Sequence, residues 1–144
     1  MIFRRAVLSD AAALAAAEQT QPCAAGWGES GFISELKLDC ALIFCALEGA
    51  EVVGFVASRF TADTAEILNV AVRTPWQRRG VGRQLLMQSL TELKNGGVRQ
   101  VSLEVAQDNA AACGLYEQAG LKRLGERKDF YGAGKSAWIV GKQL

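Results

Sequence analysis

An apolar strand, a glycine-containing loop and an amphipathic helix follow one another in the middle of this sequence. The strand pattern covers Ala65 to Val72, and Pro75 prevents it from continuing. The apolar stripe of the helix that follows the loop consists of Leu85, Leu86, Leu90 and Leu93. Gly96 and Gly97 end this helix. The order of these elements predicts an α/β domain in which helices cover a sheet.

Further strand patterns lie on both sides of this segment. They cover Ile2 to Val7, Ala41 to Leu47, Val52 to Phe60, Val98 to Val105, Leu121 to Arg127 and Ser136 to Lys142. Ser9 and Asp10 predict the N-cap of a helix that runs to about Gln19. A second helix is expected from Phe32, after a loop from Pro22 to Gly31. We therefore predict one domain over residues 1–144, with a mixed, mostly antiparallel central sheet flanked by helices.

Composition restricts the partners and the compartment. The chain has 144 residues, half of them apolar, which suffices for one core without disulfides. The formal net charge is +1 and the charges are scattered, so we expect neither nucleic-acid nor membrane binding. The four cysteines lack CxxC spacing and histidine is absent, so no metal site is predicted. We expect reduced thiols and a cytoplasmic location.

The absence of histidine also limits the chemistry. Near neutral pH, a general base must then be a carboxylate, a lysine, a cysteine, a tyrosine or a water molecule. Hydrolases and proteases that depend on an imidazole are therefore excluded.

The loop after Pro75 combines glycines with arginines. Its sequence is Gln77-Arg78-Arg79-Gly80-Val81-Gly82-Arg83. At a helix N-terminus, unpaired backbone N–H groups and the helix dipole favour an anionic phosphate. Leu85 replaces the third glycine of a dinucleotide fingerprint, and no Gly-Lys-Ser/Thr follows, so neither a Rossmann site nor a P-loop is indicated. By itself, the loop also fits an ordinary tight turn before a helix.

Five short segments follow one another in a recognisable order and spacing. They are Asn69-Val70-Ala71-Val72, Gln77-Arg78-Arg79-Gly80-Val81-Gly82, Leu103-Glu104-Val105, Asn109-Ala110-Ala111-Ala112 and Leu115-Tyr116-Glu117. Together they resemble the acetyl-CoA-binding core of the GNAT superfamily, and more narrowly the RimI-type ribosomal-protein N-terminal acetyltransferases. The resemblance covers roughly Ala65 to Tyr131. It implies a single-domain GNAT fold.

The same resemblance implies acetyl-CoA as the co-substrate. By the family pattern, the backbone of Val70, Ala71 and Val72 pairs with the pantetheine arm like an added strand. The residues implied to hold the pyrophosphate are Arg78, Arg79, Gly80, Val81, Gly82 and Arg83. Asn109 is implied to contact the cofactor from the following helix. From the residues alone, the alternatives are a core strand, a solvated basic turn and a helix cap.

The resemblance assigns the role of general base to Glu104. The alternating pattern places this carboxylate on the face of its strand opposite Val101, Leu103 and Val105. Spacing alone fits a solvated residue at a sheet edge equally well.

The resemblance assigns the role of general acid, which protonates the departing CoA thiolate, to Tyr116. Asn109, Cys113 and Tyr116 share one helix face, so a cofactor along that face would meet all three. The alternative is a buried aromatic whose hydroxyl reaches a carbonyl. Reference pKa values of ~10 for tyrosine and ~8.5 for a thiol make full proton transfer uphill by about 2 kcal/mol, so we expect Tyr116 to donate a hydrogen bond to the thiolate.

The acceptor implied by the resemblance is the N-terminal alanine of a small-subunit ribosomal protein, acetylated by direct transfer in a ternary complex. The chemistry favours such an acceptor, because an α-amine has a pKa of ~7.7 to 8.0 against ~10.4 for lysine. Acetylation of a small amine or of protein lysines is an alternative. A catalytically silent acyl-CoA-binding module is a third, against which the presence of both Glu104 and Tyr116 argues.

Two segments near the expected acceptor site depart from the family pattern. The family has a Pro-Trp-Ser segment before the second helix, whereas here four residues separate Pro22 from Trp27, and Gly28 stands in place of the serine. Near the end, Arg127-Lys128-Asp129-Phe130-Tyr131 resembles the family's Arg-x-x-Tyr-Tyr segment, with phenylalanine in the first aromatic place. Trp27 and Tyr131 are candidates for the acceptor wall, with packing of the last hairpin as the alternative for Tyr131.

Overall fold

The computed structural model describes residues 1–144, and its core is one seven-stranded sheet. The strands are β1 (Ile2–Arg5), β2 (Ala41–Glu48), β3 (Glu51–Thr61), β4 (Thr64–Val72), β5 (Gln100–Ala106), β6 (Lys122–Arg127) and β7 (Ala137–Gln143). The helices are α1 (Ala11–Gln19), α2 (Gly28–Leu36), α3 (Val81–Asn95) and α4 (Ala110–Gln118). Two short 3₁₀ turns cover Leu8–Asp10 and Thr74–Trp76. None of the helices has the length and apolar character needed to span a bilayer.

The strands lie in the order β1-β2-β3-β4-β5-β7-β6. All neighbouring pairs are antiparallel except β4 and β5, which are parallel. A parallel pair needs a crossover connection, and here α3 supplies it. The predicted fold class, a mixed and mostly antiparallel sheet flanked by helices, is confirmed.

Each face of the sheet buries its own apolar cluster. On one face, Leu85 and Leu86 of α3 and Tyr116 of α4 pack against Val101 and Leu103 of β5. The cluster on the other face joins Leu14 of α1 and Phe32 of α2 to β2 and β3, with an edge-to-face contact between Phe32 and Phe55 at 5.2 Å. Full burial of such large side chains contributes roughly 1.5–3 kcal/mol each.

Strands β4 and β5 pair over only a short stretch. Their register joins Thr64, Ala65 and Glu66 to Gln100, Val101 and Ser102, and no further pairs follow. Beyond that point β4 continues to Val72 and β5 continues to Ala106 without pairing to each other. The sheet therefore has an internal opening between the C-terminal halves of two of its central strands.

The predicted N-cap at Ser9 is wrong. Ser9 lies inside the 3₁₀ turn that precedes α1 and makes no cap hydrogen bond. The Asp10 carboxylate instead accepts the Val7 N–H at 2.7 Å and both terminal guanidinium nitrogens of Arg4 at 2.8 and 2.9 Å. These contacts occupy the Asp10 carboxylate, which therefore accepts from Val7 before the 3₁₀ turn and from Arg4 of β1 instead of capping α1.

Helix α2 begins four residues before the predicted start at Phe32 and ends at Leu36. The loop predicted to reach Gly31 is correspondingly shorter. The first α2 residue, Gly28, donates its N–H to the Glu18 carboxylate of α1 at 2.9 Å. A distant side chain therefore supplies the acceptor that starts this helix.

Gly141 of β7 lies where a side chain has no room. A methyl group there would come within 2.7 Å of both the Val101 carbonyl oxygen and Leu124 Cδ1. We expect Gly141→Ala to lower the free energy of unfolding by about 1–3 kcal/mol in urea titrations, because the backbone carbonyl cannot move aside. Gly125→Ala on β6 is the control, because its methyl group meets only Ile139 Cδ1 at 3.7 Å. Equal stability of the two variants would contradict this packing.

Candidate active site

The opening in the sheet exposes backbone groups of β4. Antiparallel pairing to β3 alternates along the strand, and the Arg73 N–H donates to the Val53 carbonyl at 2.8 Å. By this alternation the N–H and C=O of Ala71 face β3, whereas those of Val70 and Val72 face the opening. The Val72 carbonyl accepts a hydrogen bond from Gln77 Nε2 at 2.8 Å. Val70 therefore presents an unpaired N–H and C=O to a ligand.

The loop between β4 and α3 offers a run of backbone donors. Arg78 and Gly80 have left-handed backbone with φ of 62° and 81°, and α3 begins directly afterwards. The first N–H of this region with a backbone acceptor is that of Gln84, which donates to Gly80. The residues from Arg78 to Arg83 thus present consecutive free N–H groups at a helix N-terminus, an arrangement suited to a phosphate.

The charges of this loop are also free. Arg78, Arg79 and Arg83 are exposed, and none of them takes part in an ion pair. Val81 is different, because its side chain is buried in the core and anchors the start of α3. Gly82 lies against α4, where an added methyl group would be 3.3 Å from Leu115 Cδ2. The loop is therefore held on its inner side and cationic on its outer side.

Asn109 caps helix α4. Its Oδ1 accepts the Ala112 N–H at 3.1 Å, as the capping interpretation predicts. The carbonyl side of the amide is therefore used within the chain.

Tyr116 enters the site from the α4 side of the sheet. It is buried, yet its hydroxyl makes no hydrogen bond within the chain, so the contact with a carbonyl that the alternative interpretation requires is absent. Burial, and then the neighbouring Tyr131 and Cys113, raise the pKa of Tyr116 well above its ordinary value. This phenol stays protonated at neutral pH and is free to donate a hydrogen bond to a ligand.

Glu104 enters the site from the other face of the sheet. Its strand β5 lies between β4 and β7 in the sheet, but at Glu104 it pairs only with β7, so the carboxylate lies beside the opening. The side chain is 23% exposed, and Oε1 pairs with Arg127 Nη1 at 2.9 Å. The other carboxylate oxygen remains available. A carboxylate at the opening can accept a proton from a bound amine.

Tyr131 contacts the strand that carries Glu104. Its hydroxyl donates to the Glu104 carbonyl at 3.4 Å. Burial, and then the nearby Glu104 and Cys23, raise the pKa of Tyr131, and Tyr131 in turn affects Tyr116. The structure thus brings the predicted Glu104 and Tyr131 into contact and places Tyr116 near Tyr131, with Cys23 of the loop before α2 near enough to affect the pKa of Tyr131.

Sequence reasoning missed a buried polar pair beside this site. Glu18 of α1 and Asn69 of β4 are 3% and 4% exposed and bond to each other at 2.7 Å. The available signals were an acid near the end of an alanine-rich helix and a lone amide in the apolar run from Ile67 to Val72. Arg127, the partner of Glu104, was noted only as part of a motif. No group of three or more Cys, Asp and Glu side chains is placed to hold a metal ion.

The sequence pattern described for the acetyltransferase (GNAT) family matches residues 12–121. The chain belongs to this family. The acetyltransferase is 34% identical over 105 residues to the [ribosomal protein bS18]-alanine N-acetyltransferase of Escherichia coli K12, covering 73% of this chain and 70% of that relative. It is also 34% identical over 109 residues to the N-alpha-acetyltransferase RimI of Mycobacterium tuberculosis, covering 73% and 67%.

Solved structures agree with this assignment. The crystal structure of the ribosomal-protein-S18-alanine N-acetyltransferase from Escherichia coli superposes with a TM-score of 0.87 at 29% identity, over 99% of this chain and 92% of that one. The PaiA N-acetyltransferase from Thermoplasma acidophilum, solved with coenzyme A, shares the fold with a TM-score of 0.82 at 18% identity, over 99% and 98% of the chains. This GNAT acetyltransferase is therefore an acyltransferase enzyme.

Proposed function

We propose that this enzyme acetylates the N-terminal alanine of a small-subunit ribosomal protein in the cytoplasm, with acetyl-CoA as the donor. The observation that carries the proposal is the meeting of Glu104, Tyr116 and Tyr131 at the opening between β4 and β5. The bS18-alanine specificity named for the Escherichia coli relative supports the choice of acceptor. Transfer is direct, in a ternary complex of enzyme, acetyl-CoA and peptide.

The residues at the opening fit acetyl-CoA. A pyrophosphate suits the free N–H groups from Arg78 to Arg83 and the three unpaired arginines beside them. The amides of a pantetheine arm suit the unpaired N–H and C=O of Val70, in the manner of an added strand. Asn109 keeps its Nδ2 for the cofactor, because its Oδ1 caps α4.

Glu104 is the general base of the proposed mechanism. It removes a proton from the α-ammonium group of the acceptor, directly or through a water molecule, so that the neutral amine attacks the thioester carbonyl. Proton transfer to a carboxylate is less unfavourable from an α-ammonium group, with a pKa of ~7.7 to 8.0, than from a lysine, with a pKa of ~10.4. This difference favours protein N-termini over lysine side chains.

Tyr116 stabilises the leaving thiolate. The raised pKa of Tyr116 widens the gap to a thiol, whose reference pKa is ~8.5. Full proton transfer is therefore more unfavourable than in the reference case, and Tyr116 donates a hydrogen bond instead. Its lack of a partner within the chain leaves the hydroxyl free for this contact.

We expect Tyr116→Phe to lower kcat about tenfold, since one hydrogen bond to a developing charge is lost. The dissociation constant for CoA and the melting temperature should stay the same, because the hydroxyl bonds to nothing within the chain. Steady-state kinetics, calorimetric titration and a thermal melt measure these quantities. An unchanged kcat would reduce Tyr116 to a packing role.

The acceptor binds between the loop before α2 and the loop between β6 and β7. Trp27 of the first loop packs edge-on against Phe32 at 5.2 Å, and Tyr131 of the second packs against Phe130 at 4.9 Å. Both walls are thus aromatic, and Tyr131 is exposed, which leaves its ring accessible to an acceptor.

The proposed function is tested by CoA release from acetyl-CoA with a short peptide that starts with alanine. An N-terminally blocked peptide carrying one lysine is run beside it. Turnover on the free α-amine alone supports the proposal. Turnover on the blocked peptide would indicate a lysine side chain as the acceptor. No turnover on either peptide would indicate a small amine as the acceptor. In cells, unchanged acetylation of ribosomal proteins in a deletion strain would contradict the ribosomal acceptor.

A further inference from the structure

The carboxylate of Glu18 is buried between α1, β4 and the loop before α2. Glu18 is 3% exposed. Its Oε1 accepts the Gly28 N–H at 2.9 Å. Its Oε2 accepts the Trp27 N–H at 2.8 Å and Asn69 Nδ2 at 2.7 Å. Both oxygens therefore accept hydrogen bonds, from the start of α2 and from β4.

Asn69 completes this contact from β4. The residue is 4% exposed, and while its Nδ2 donates to Glu18, its Oδ1 accepts the Ala25 N–H at 3.1 Å. The two side chains thus bind the backbone N–H groups of Ala25, Trp27 and Gly28. We call the pair Glu18 and Asn69, with these three N–H groups, the polar clamp.

The clamp holds its charge without a cationic partner, because none of the ion pairs of the chain includes Glu18. Desolvation raises the pKa of Glu18, but the hydrogen bonds from Gly28, Trp27 and Asn69 outweigh it and hold the pKa below its usual value. A buried charge is costly unless it is hydrogen-bonded in this way. The Glu18 charge is therefore stabilised only while these donors keep their positions.

The clamp lies between the two halves of the site. On one side, Asn69 directly precedes Val70, whose backbone groups face the opening. On the other side, the clamped loop carries Cys23 and Trp27, and Cys23 lies within electrostatic reach of the Tyr131 hydroxyl. Resting on the proposed function, we infer that Glu18 and Asn69 are positioning residues. They fix the loop before α2, which forms one wall of the acceptor site, relative to β4, which binds the cofactor.

Three variants separate this role from simple packing. Glu18→Gln places an amide nitrogen opposite another donor, and Asn69→Asp places two buried carboxylates against each other. The double variant Glu18→Gln/Asn69→Asp restores a donor and an acceptor between the two side chains. In the double variant, the Ala25 and Gly28 N–H groups still have acceptors. Only the Trp27 N–H must share an acceptor oxygen with another donor. The double variant should therefore recover part of what each single variant loses.

We expect each single variant to raise the KM for the peptide acceptor about tenfold. The dissociation constant for CoA should change by less than about twofold, because the loop from Arg78 to Arg83 is untouched. The double variant should have a KM below that of either single variant. Glu29→Gln is the matched control, because Glu29 is exposed in the first turn of α2 and forms no ion pair. Loss of folded protein alone would lower the active fraction and leave KM unchanged.

Amide hydrogen exchange supplies a readout that needs no turnover. In Glu18→Gln, the amides of Trp27 and Gly28 should exchange at least about tenfold faster than in the wild type, while those of α3 stay protected. If the wild type acetylates no alanine peptide, the proposed function is wrong. Amide hydrogen exchange still tests whether the polar clamp holds the loop before α2 in place. Unchanged exchange in this loop, or an unchanged KM in both single variants, would overturn the positioning role.

Discussion

Glu104→Gln is expected to lower kcat/KM for an alanine-initiated peptide by about 10²–10⁴-fold, the usual contribution of a general base. Glutamine keeps the size of the side chain and still accepts a hydrogen bond from Arg127, but it cannot take a proton. The partly exposed ion pair with Arg127 contributes little to stability, so the fold should be retained. CoA binding should also persist, because Glu104 lies apart from the loop that offers N–H groups to phosphate.

The matched control is Glu126→Gln on β6. Glu126 is exposed and pairs with no cation, so its replacement should leave kcat/KM within about twofold. Stopped-flow or steady-state detection of released CoA measures both variants. Glu104→Gln with more than half of the wild-type rate would remove Glu104 from the mechanism. A rate that recovers as pH rises would instead indicate that the amine loses its proton to solvent before it binds.

The triple variant Arg78→Ala, Arg79→Ala and Arg83→Ala is expected to weaken CoA binding about 10²-fold. Each exposed arginine contributes about 1 kcal/mol to binding a phosphate, and the three contributions add approximately. The remaining affinity comes from the backbone N–H groups, which the substitutions leave in place. Raising the salt concentration should weaken wild-type binding more than it weakens binding to the variant.

Pantetheine separates the phosphate contacts from the rest of the site. Because it carries no pyrophosphate, its affinity should be equal in the wild type and the triple variant. Arg99→Ala is the control substitution, since Arg99 is exposed and unpaired at the other end of β5. Isothermal titration gives all of these constants. A triple variant that binds CoA as tightly as the wild type would show that the arginines do not contact the phosphates.

The elements set by local sequence could be predicted closely. The predicted bounds of β2, β3 and β4 lie within one residue of the observed ones, because apolar runs separated by short turns leave few alternatives. The helix after the glycine loop was likewise predictable from its leucine stripe and its terminal glycines. The roles predicted for Glu104 and Tyr116 came from the resemblance to the family. Spacing alone also fitted a solvated carboxylate and a buried aromatic side chain.

The remaining features depend on contacts between distant parts of the chain. Glu18 and Asn69 are 51 positions apart, and Glu104 and Arg127 are 23 apart, so neither pair leaves a local pattern. The separation of β4 from β5 is likewise a property of the folded sheet. Ser9 was misassigned for a more local reason, because the ion pair between Arg4 and Asp10, six positions apart, determines how the chain enters α1.

The separation of β4 from β5 also divides the sheet along the chain. Strands β1 to β4 use only residues 2–72, and β5 to β7 use only residues 100–143. Every strand pair except β4–β5 lies within one half, and the β2–β3 and β3–β4 hairpins join segments that are adjacent in sequence, which keeps the entropic cost of closing those loops low. During synthesis, the β2–β3 and β3–β4 hairpins can therefore pair before the second half has emerged, and the apolar cluster that both halves share closes only afterwards. An enzyme proposed to modify a ribosomal protein can begin to fold beside the machinery that its substrate belongs to.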